Sequence, residues 1–443
     1  MIKKLLPVLA LFIAFNLAAP AQTLNKAKLD SFFVALNTHN RSMGSIAISA
    51  NGTLVYQNAI GYAAYNDQAK IPAGINTRYR IGSISKMFTA AMIFQLMQEG
   101  KLNLDKHLAT WYPQLPNADK ITIGDMLDHH SGLHNFTNDS LYTTYMGKPM
   151  TEAAMTAIFA QEKPDFEPGA KGQYSNTNFV LLGYIIEKIT RKPYAEELKQ
   201  RINVPIGLAN TYYGGKTNAG NNEAYSYQFS GQWTQMPETD MSIPGGAGAI
   251  VSTPADLVKF IEALFGGKLI SAASLEQMKT MKDNFGMAMF VIPFYDRQGY
   301  GHNGGIDGFT SVLTYFPADK LAVAYTSNGA QTPVNDVLIG ALSIYYNKPF
   351  AIPDFKTFTV ASQDLDKYLG NYTSADIPYK IAITKSNTTL MAQVNGQPAF
   401  ALEAVAANKF VLSAAGATLQ FNPAQNGFTV MQGGKTYVFT KEK

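Results

Sequence analysis

The chain of 443 residues contains no cysteine. A disulfide framework, a cysteine nucleophile and a lipid-modified cysteine are therefore all excluded. A marked excess of basic or acidic residues is missing as well: the formal net charge is +4, and it falls to +2 if the two lysines Lys3 and Lys4 are removed with the N-terminus. Because no basic run is present, nothing in the composition indicates nucleic-acid binding.

Extended apolar sequence is confined to the N-terminus. Two lysines precede an apolar stretch over residues 5–18, and the small residues Ala19-Pro20-Ala21 follow it. This pattern is typical of a secretory signal peptide, and the apolar stretch is too short for a stable transmembrane helix. We therefore predict that residues 1–21 are cleaved and that no integral membrane segment remains. The protein is expected to be exported, to the periplasm or the medium.

Periodicity divides the remaining chain into three parts. Residues 22–350 combine an amphipathic first helix, a hairpin turning at Asn51-Gly52, a helical middle and late strands. This order predicts an α/β fold with an antiparallel sheet flanked by helices, beside a helical lobe. Residues 351–362 are predicted to be a linker. Residues 363–443 alternate with period two between short turns, which predicts an all-β module, either a small barrel or a sandwich.

The residues suited to catalysis lie in three short motifs. Ser83 and Lys86 are three residues apart at the start of an apolar helical run, so they share one helix face. A serine hydroxyl needs such a nearby base and a place for the oxyanion. The second motif is Tyr174-Ser175-Asn176, and the third is His302-Asn303-Gly304, which precedes an evident strand at 309–316. Each motif recurs by chance, but the order of the three is specific.

The order S-x-x-K, Y-x-N, H-x-G resembles the serine β-lactamase and penicillin-binding protein superfamily, in its class C and DD-peptidase branch. Three further segments are similar to that family: 127–133, 168–184 and 245–257. The resemblance covers roughly residues 40 to 330 and implies a β-lactamase/DD-peptidase-like fold with the site in its cleft. Residues 368–372 resemble the opening of the lipocalin-like domains that are appended to this family.

The resemblance also implies a role for each motif residue. Ser83 would be the nucleophile that forms an acyl-enzyme, and Lys86 and Tyr174 would share the role of base. Both bases have an ordinary pKa of about 10, and mutual charge effects are expected to lower it. Which of the two bases takes the proton of Ser83 stays open. Asn176 would hold Lys86 and the substrate amide. The backbone N–H groups of Ser83 and Gly305 would form the oxyanion hole.

The third motif bears on the substrate. His302 stands where class C β-lactamases carry the lysine of K-T-G, which helps to bind the substrate carboxylate. Since an ordinary imidazole has a pKa of about 6.5, most of that positive charge is lost at neutral pH. The H-x-G pattern resembles the DD-carboxypeptidases and D-aminopeptidases of the branch. By the same resemblance, Asn303 and Gly304 are expected to bind substrate.

The sequence therefore predicts a serine hydrolase of the penicillin-recognising type. D-alanyl-D-alanine carboxypeptidase or D-amino-acid peptidase activity is favoured. A β-lactamase or a carboxylesterase using the same site is the alternative, since the shape of a site sets its leaving group. A non-catalytic sensor that binds peptidoglycan or β-lactams is a second alternative. The expected partner is a small peptide, β-lactam or ester, with peptidoglycan as a further candidate; no cofactor is expected, and the oligomeric state is left open.

Zinc catalysis is a competing hypothesis because His129, His130 and His134 lie close together in the sequence. The metalloprotease pattern H-E-x-x-H needs glutamate at the position of Ser131, however. We therefore expect no metal site and interpret His129 as a residue that orders its loop. An ordinary Ser-His-Asp hydrolase would show a G-x-S-x-G turn, and the chain has none.

Overall fold

The computed structural model describes residues 24–65, 70–229, 231–355, 358, 360–395, 399–412, 417–432 and 435–442. The signal segment predicted at 1–21 lies outside these residues. No helix within the described ranges has the length and apolar character needed to span a bilayer.

The helices and strands follow one another along the chain in two blocks, a mixed block up to Tyr345 and an all-β block from Gly370. The helices are α1 (Lys26–Thr38), α2 (Ser85–Gln98), α3 (Ile123–Leu127), α4 (Tyr142–Tyr145), α5 (Glu152–Gln161), α6 (Asn176–Thr190), α7 (Tyr194–Leu198), α8 (Val204–Ile206), α9 (Gly245–Gly248), α10 (Pro254–Phe265), α11 (Ala272–Lys279) and α12 (Val334–Tyr345). The strands of the first block are β1 (Ser42–Ala50), β2 (Thr53–Ile60), β3 (Tyr62–Tyr65), β4 (Lys70–Pro72), β5 (Tyr79–Arg80), β6 (Tyr212–Tyr213), β7 (Tyr227–Phe229), β8 (Trp233–Gln235), β9 (Ile250–Ser252), β10 (Phe290–Phe294), β11 (Arg297–Ile306), β12 (Phe309–Phe316) and β13 (Leu321–Ala330). Those of the second block are β14 (Gly370–Thr373), β15 (Lys380–Ser386), β16 (Thr389–Val394), β17 (Phe400–Ala406), β18 (Lys409–Leu412), β19 (Ala417–Asn422), β20 (Gly427–Gln432) and β21 (Lys435–Lys441).

The centre of the first block is an antiparallel sheet of six strands in the order β10-β11-β12-β13-β1-β2. Because side chains alternate along a strand, β1 contributes Ile46 and Ile48 to one face and Ala47 to the other. The first face packs against α1 and α12, and the second packs against α2, α6 and α10. The predicted antiparallel sheet between helices is confirmed. The predicted hairpin is confirmed too, with Asn51 and Gly52 both at positive φ.

The helix α2 is apolar on all sides and runs through the core of the helical lobe. Eleven of its residues, from Ser85 to Leu96, are buried. A helix without a polar face is expected to be surrounded by protein, and the ring of Phe88 stacks on that of Phe260 at 3.7 Å. The consequence for the site is that any ionisable group in the first turn of α2 lies in a medium of low polarity.

The all-β module is a closed barrel of eight strands, β14 to β21. Closure is made by β14, which pairs with β21 as well as with β15. The interior is filled by buried aromatic rings, among them Tyr368, Tyr372, Phe410, Phe421 and Phe428. The barrel prediction is therefore confirmed over the sandwich. Side chains fill an interior of this size completely, as is usual for eight strands.

The strand predicted after the third motif is confirmed as β12, and the motif itself lies in a preceding strand, β11, which the sequence did not predict. His302, Asn303 and Gly304 are paired within β11. Glycine-rich sequence disfavours strands, so the pattern did not predict β11. The glycines are needed for close backbone approach: a Cβ on Gly301 would lie 1.9 Å from the Leu313 carbonyl oxygen, and one on Gly304 would lie 2.0 Å from that of Ile81.

Candidate active site

Three elements bring the predicted catalytic groups to one hydroxyl. Ser83 lies in a 3₁₀ turn, Gly82–Ile84, that leads directly into α2, and Lys86 lies in the first turn of that helix. Tyr174 comes from the loop before α6. The Nζ atom of Lys86 is 3.0 Å from Ser83 Oγ, and Tyr174 donates its hydroxyl hydrogen to the same oxygen at 2.7 Å. The structure thus places nucleophile and both candidate bases in direct contact.

Two further acceptors surround the Lys86 amine. The Nζ atom donates to Asn176 Oδ1 and to the carbonyl oxygen of Ala247, both at 2.8 Å. The carbonyl of Ala247 was not predicted as a site group. It reaches Lys86 because α9 is a run of small residues that packs tightly on α6, where a Cβ on Gly246 would lie 2.6 Å from the Phe179 carbonyl oxygen. The glycine-rich segment 245–248 was the available signal.

The protonation states of the two bases follow from their burial. Burial lowers the pKa of Lys86 well below its ordinary value, because the ammonium loses its hydration. Burial raises the pKa of Tyr174, and the hydrogen bond to Ser83 offsets only part of that increase. The expectation that mutual charge effects lower both pKa values is therefore wrong for Tyr174.

A neutral amine fits the contacts of Lys86. Its two N–H groups are taken by the Asn176 and Ala247 oxygens. The same Nζ donates to Ser83 Oγ at 3.0 Å, and in the neutral form this contact would allow the serine hydroxyl to donate to the amine instead. The hydroxyl of Tyr174 remains protonated and donates to the same serine oxygen. This arrangement places a candidate base, Lys86, and a hydroxyl donor, Tyr174, on the same serine oxygen.

The backbone groups predicted for the oxyanion hole lie on two segments in close contact. Gly82 has a φ of +51°, and a Cβ built on it would lie 2.8 Å from the Gly305 nitrogen. Only glycine satisfies both conditions. The turn that carries the Ser83 amide is thereby held against the end of β11 that carries the Gly305 amide. The geometry suits a pair of N–H donors for a developing oxyanion.

Arg80, for which no role was predicted, holds the turn at Ser83 against the end of β11. Its guanidinium is buried and donates to Asp307 Oδ2 at 2.9 Å and to Glu238 Oε2 at 2.7 Å. Arg80 precedes Ser83 by three residues, and Asp307 follows Gly305 by two. The ion pair therefore ties together the two segments of the predicted oxyanion hole. The arginine was visible at the head of the first motif, but nothing in the sequence showed its partners.

The loop that carries the second motif is held by hydrogen bonds and ring stacking from residues of the segment 129–137. The Asn176 N–H donates to Asn135 Oδ1 at 2.9 Å, and the Asn176 side-chain amide donates to Thr137 at 3.1 Å. His129 accepts the Ser175 N–H at 3.2 Å, and its ring stacks on Tyr174 with the centroids 4.5 Å apart. The structure thus places His129 where it orders the Tyr174 loop.

His302 lies in the same cleft as a neutral ring. Its Nδ1 atom contacts the Asn303 carbonyl oxygen, which can only accept, so Nδ1 carries the proton. Burial lowers the pKa of His302 to about 3. The loss of positive charge expected at this position is therefore larger than an ordinary imidazole would give.

The cleft opens beside Ser83 as a cavity of about 590 Å³. It is lined on one side by β10 and on the other by α12, and Tyr174, His302 and Gly305 form its floor. Asn303 lies in this lining and donates its side-chain amide to Asn335 Oδ1 at 3.0 Å. Gly304 also lines the cavity. Its close contact with the Ile81 backbone already requires a glycine at this position, whether or not Gly304 binds substrate.

Two of the three histidines of the zinc hypothesis are held by separate carboxylates, and the third, His129, contacts the Tyr174 loop. His130 contacts Asp128 and Asp283, whereas His134 lies between Asp139 and Asp165. Within the described ranges, His134, Asp139 and Glu162 are the one group of such side chains close enough to share an ion. Both ring nitrogens of His134 are already engaged by carboxylates.

Comparison with known sequences finds similarity to penicillin-binding proteins and to teichoic acid D-alanine hydrolases. A sequence model of the family described as Beta-lactamase matches residues 29–343. A penicillin-binding protein of Bacillus subtilis (strain 168) is 26% identical over 431 residues, which covers 90% of this chain and 94% of that protein. A teichoic acid D-alanine hydrolase of Staphylococcus aureus (strain MRSA252) is 28% identical and covers 64% of this chain and 70% of its own length.

Solved structures show the same fold. A D-amino acid amidase from Ochrobactrum anthropi SV3 superposes with a TM-score of 0.64 at 28% identity, covering 72% of this chain and 99% of that one. An octameric penicillin-binding protein homologue from Pyrococcus abyssi has a TM-score of 0.65 at 23% identity and covers 94% of this chain and 100% of its own, which shows the fold alone. The family match and the fold together show that the chain belongs to the beta-lactamase family of serine hydrolases.

Proposed function

We propose that the protein hydrolyses an amide bond at the carbonyl carbon of a D-amino-acid residue, through an acyl-enzyme on Ser83. The D-alanyl-D-alanine carboxypeptidase and D-amino-acid peptidase reactions share this step. The observation that carries the proposal is the contact of Ser83 Oγ with Lys86 Nζ at 3.0 Å and with Tyr174 Oη at 2.7 Å. Relatives named as a D-amino acid amidase and a teichoic acid D-alanine hydrolase support the D configuration.

Acylation begins with proton transfer from Ser83 to the neutral amine of Lys86. The serine oxygen bonds to the substrate carbonyl carbon, and the oxyanion is stabilised by the amides of Ser83 and Gly305. One such donor contributes about 3 kcal/mol of transition-state stabilisation. Tyr174 then gives its proton to the leaving nitrogen as the carbon–nitrogen bond breaks, and the proton on Lys86 restores the phenol.

Deacylation uses the same groups in reverse. A water molecule loses a proton to Lys86 and attacks the ester carbon, and the bond to Ser83 Oγ breaks as that oxygen regains a proton. The products are a D-amino acid, free or acylated at its nitrogen, and an amine. No other reactant is required.

Ester hydrolysis by the same site is a second candidate. The observation that favours it is the apolar cavity beside Ser83, whose walls suit the alcohol part of an ester as well as an amine. An alkoxide leaves more readily than an amine and depends less on the proton from Tyr174.

The proposed setting is the cell envelope after export, with peptidoglycan or its fragments as a source of D-amino-acid residues. The N-terminal sequence with its lysines and the small residues 19–21 supports this part of the proposal. The N-terminus of the secreted chain, determined by mass spectrometry, tests it.

The test is a stereochemical pair of substrates. Release of ammonia from D-phenylalanine amide and from L-phenylalanine amide is measured with the wild-type chain and with Ser83→Ala. We expect preferential turnover of the D amide, which Ser83→Ala abolishes. Faster turnover of the L amide, or activity that survives in Ser83→Ala, would contradict the proposal.

A further inference from the structure

We propose that the cavity beside Ser83 accepts an uncharged, apolar leaving group and rejects a leaving group with a free carboxylate. The substrates are then amides or esters of D-amino acids, and not peptides whose departing residue is a free C-terminal D-amino acid. This inference rests on the proposed function, because it concerns the group that leaves the same acyl carbon.

The position of Tyr174 identifies the cavity as the leaving-group side. The departing atom must take its proton from a protonated group beside Ser83. Tyr174 keeps its proton, since burial raises its pKa, and it lines the cavity. Lys86 lies beneath the serine and is not part of the lining. A leaving group that accepts a proton from Tyr174 therefore departs into this cavity.

The walls of the cavity are apolar. Strand β10 lies at the edge of the central sheet, and α12 faces it across the gap. The apolar side chains that line the two walls include Phe290, Ile292, Leu338, Ile339 and Leu342. Ile339 is half exposed, at 50%, so a bound apolar group would remove this side chain from water.

The polar groups of the lining are neutral. The His302 ring carries its proton on Nδ1 and points that proton at the Asn303 carbonyl. The Asn303 side-chain amide donates one hydrogen bond, of 3.0 Å, to Asn335 Oδ1. Every residue that lines the cavity has an uncharged side chain, and all of them lie within the described ranges.

A carboxylate on the leaving group would have to be desolvated against these surfaces. Burying a charge without a partner is costly, whereas an amide or an ester group loses much less hydration. A lysine at the position of His302 would supply the missing charge, and this chain has a neutral ring there. The difference between the two kinds of leaving group therefore lies in binding and in the transition state, and not in the chemistry at Ser83.

The test compares two peptides that differ only at the terminus: N-acetyl-D-alanyl-D-alanine and its C-terminal amide. In both, the bond from the acetyl-D-alanyl carbonyl to nitrogen breaks, and water supplies the oxygen of the acid formed. The products released from the second residue are D-alanine and D-alaninamide, respectively. We expect kcat/KM of the wild-type chain to be at least about tenfold higher for the amide, a tenfold ratio corresponding to about 1.4 kcal/mol.

A charge added to the wall should reverse the preference. Asn335 is exposed at the start of α12 and lines the cavity, so Asn335→Arg can place a guanidinium there without burying it in the core. We expect the ratio of kcat/KM values, carboxylate over amide, to rise about tenfold in this variant and to fall again at high salt. Asn335→Gln is the matched control, which removes the same asparagine without adding charge and should leave the ratio unchanged.

The outcomes separate the inference from the proposed function. Equal or faster cleavage of the free-carboxylate peptide by the wild-type chain would overturn the inference and leave the proposed function intact. A ratio that moves equally in Asn335→Arg and Asn335→Gln would also overturn it. If neither peptide nor either phenylalanine amide is cleaved, the proposed function itself fails and the inference fails with it.

Discussion

The hydroxyl of Ser83 contacts two groups to which the proposed mechanism gives opposite tasks. Lys86, whose pKa is lowered by burial, lies 3.0 Å from Ser83 Oγ, and Tyr174 donates a hydrogen bond to the same oxygen at 2.7 Å. The sequence predicted these residues because their order along the chain is specific. It could not decide between the two bases, because the difference comes from burial by helices that are distant in sequence. The carbonyl of Ala247 was missed because a backbone group has no sequence signal of its own.

The pH dependence of kcat/KM should report Lys86. The amine accepts a proton only when neutral, so activity falls as pH drops through its pKa, and burial places that fall well below 10.5. Lys86→Arg, which stays protonated, should reduce kcat/KM about 10²–10⁴-fold at every pH measured. An acid limb close to the ordinary lysine value, or near-normal activity in Lys86→Arg, would contradict this assignment.

The buried His302 and the partly exposed His134 should have pKa values shifted in opposite directions. Burial lowers the pKa of His302 to about 3, so its ring gains a proton only as pH falls through that value. At His134 partial burial opposes protonation, but hydrogen bonds to Asp165 and Asp139 raise the pKa overall. NMR of labelled histidine, assigned with His302→Asn and His134→Asn variants, should show His302 unchanged from pH 8 to 5 and His134 titrating above about 6.5. A His302 signal that titrates in that range would contradict the inference that the lining of the cavity is uncharged.

At the scale of elements, the site depends on strands and turns that approach at backbone distance. The sequence predicted α2 from its apolar run and the strand β12 after His302, but it did not predict β11, the strand that contains His302. The reason is that the glycines of β11 are needed for close contacts with other segments. Such contacts leave no pattern in the neighbouring sequence. Arg80 and Asp307, which tie the turn before α2 to the end of β11, were missed for the same reason.

Gly82→Ala should disturb the oxyanion hole more than it disturbs folding. A Cβ at this position would lie 2.8 Å from the Gly305 nitrogen, at a φ of +51°. Loss of alignment of one donor costs about 10²–10³ in kcat. Steady-state kinetics with circular dichroism as a folding check measure the effect.

Gly52→Ala is the matched control. Gly52 also has a positive φ, of +78°, but no atom lies within 4 Å of its added Cβ. The backbone strain should cost about 1–3 kcal/mol of stability while kcat stays unchanged. Equal losses of kcat in the two variants would show that backbone strain alone explains the effect at Gly82.

At the scale of the whole molecule, the barrel is joined to the first block by a partly buried ion pair. Arg41, beside the start of β1, makes a bidentate contact with Glu403 of β17, and its guanidinium lies over the Phe355 ring at 4.8 Å. The Arg41 carbonyl accepts the N–H groups of Gln331 and Thr332, which lead into α12. The sequence predicted a separate all-β module, but a contact between residues 362 positions apart could not be predicted from local patterns.

Glu403→Ala should loosen the barrel without abolishing acylation. A charge-assisted hydrogen bond contributes about 1.5–3 kcal/mol, so local opening should increase at least about tenfold. Limited trypsin digestion should then cut faster after Lys356, in the predicted linker 351–362 before the barrel. Glu442→Ala, which removes the exposed pair with Lys380, is the control and should have little effect. Identical digestion of the two variants would mean that Arg41 and Glu403 do not hold the barrel in place.

The acyl-enzyme itself is the most informative species to observe. The wild-type chain and Ser83→Ala are each mixed with N-acetyl-D-alanine p-nitrophenyl ester, quenched in acid within the first turnovers and weighed intact. We predict that the wild type gains the mass of one acetyl-D-alanyl group, located by peptide mapping on Ser83, and that Ser83→Ala gains none. An adduct on another residue, an equal adduct in both proteins, or turnover of the ester by the wild type with acylation absent at Ser83 would contradict the mechanism.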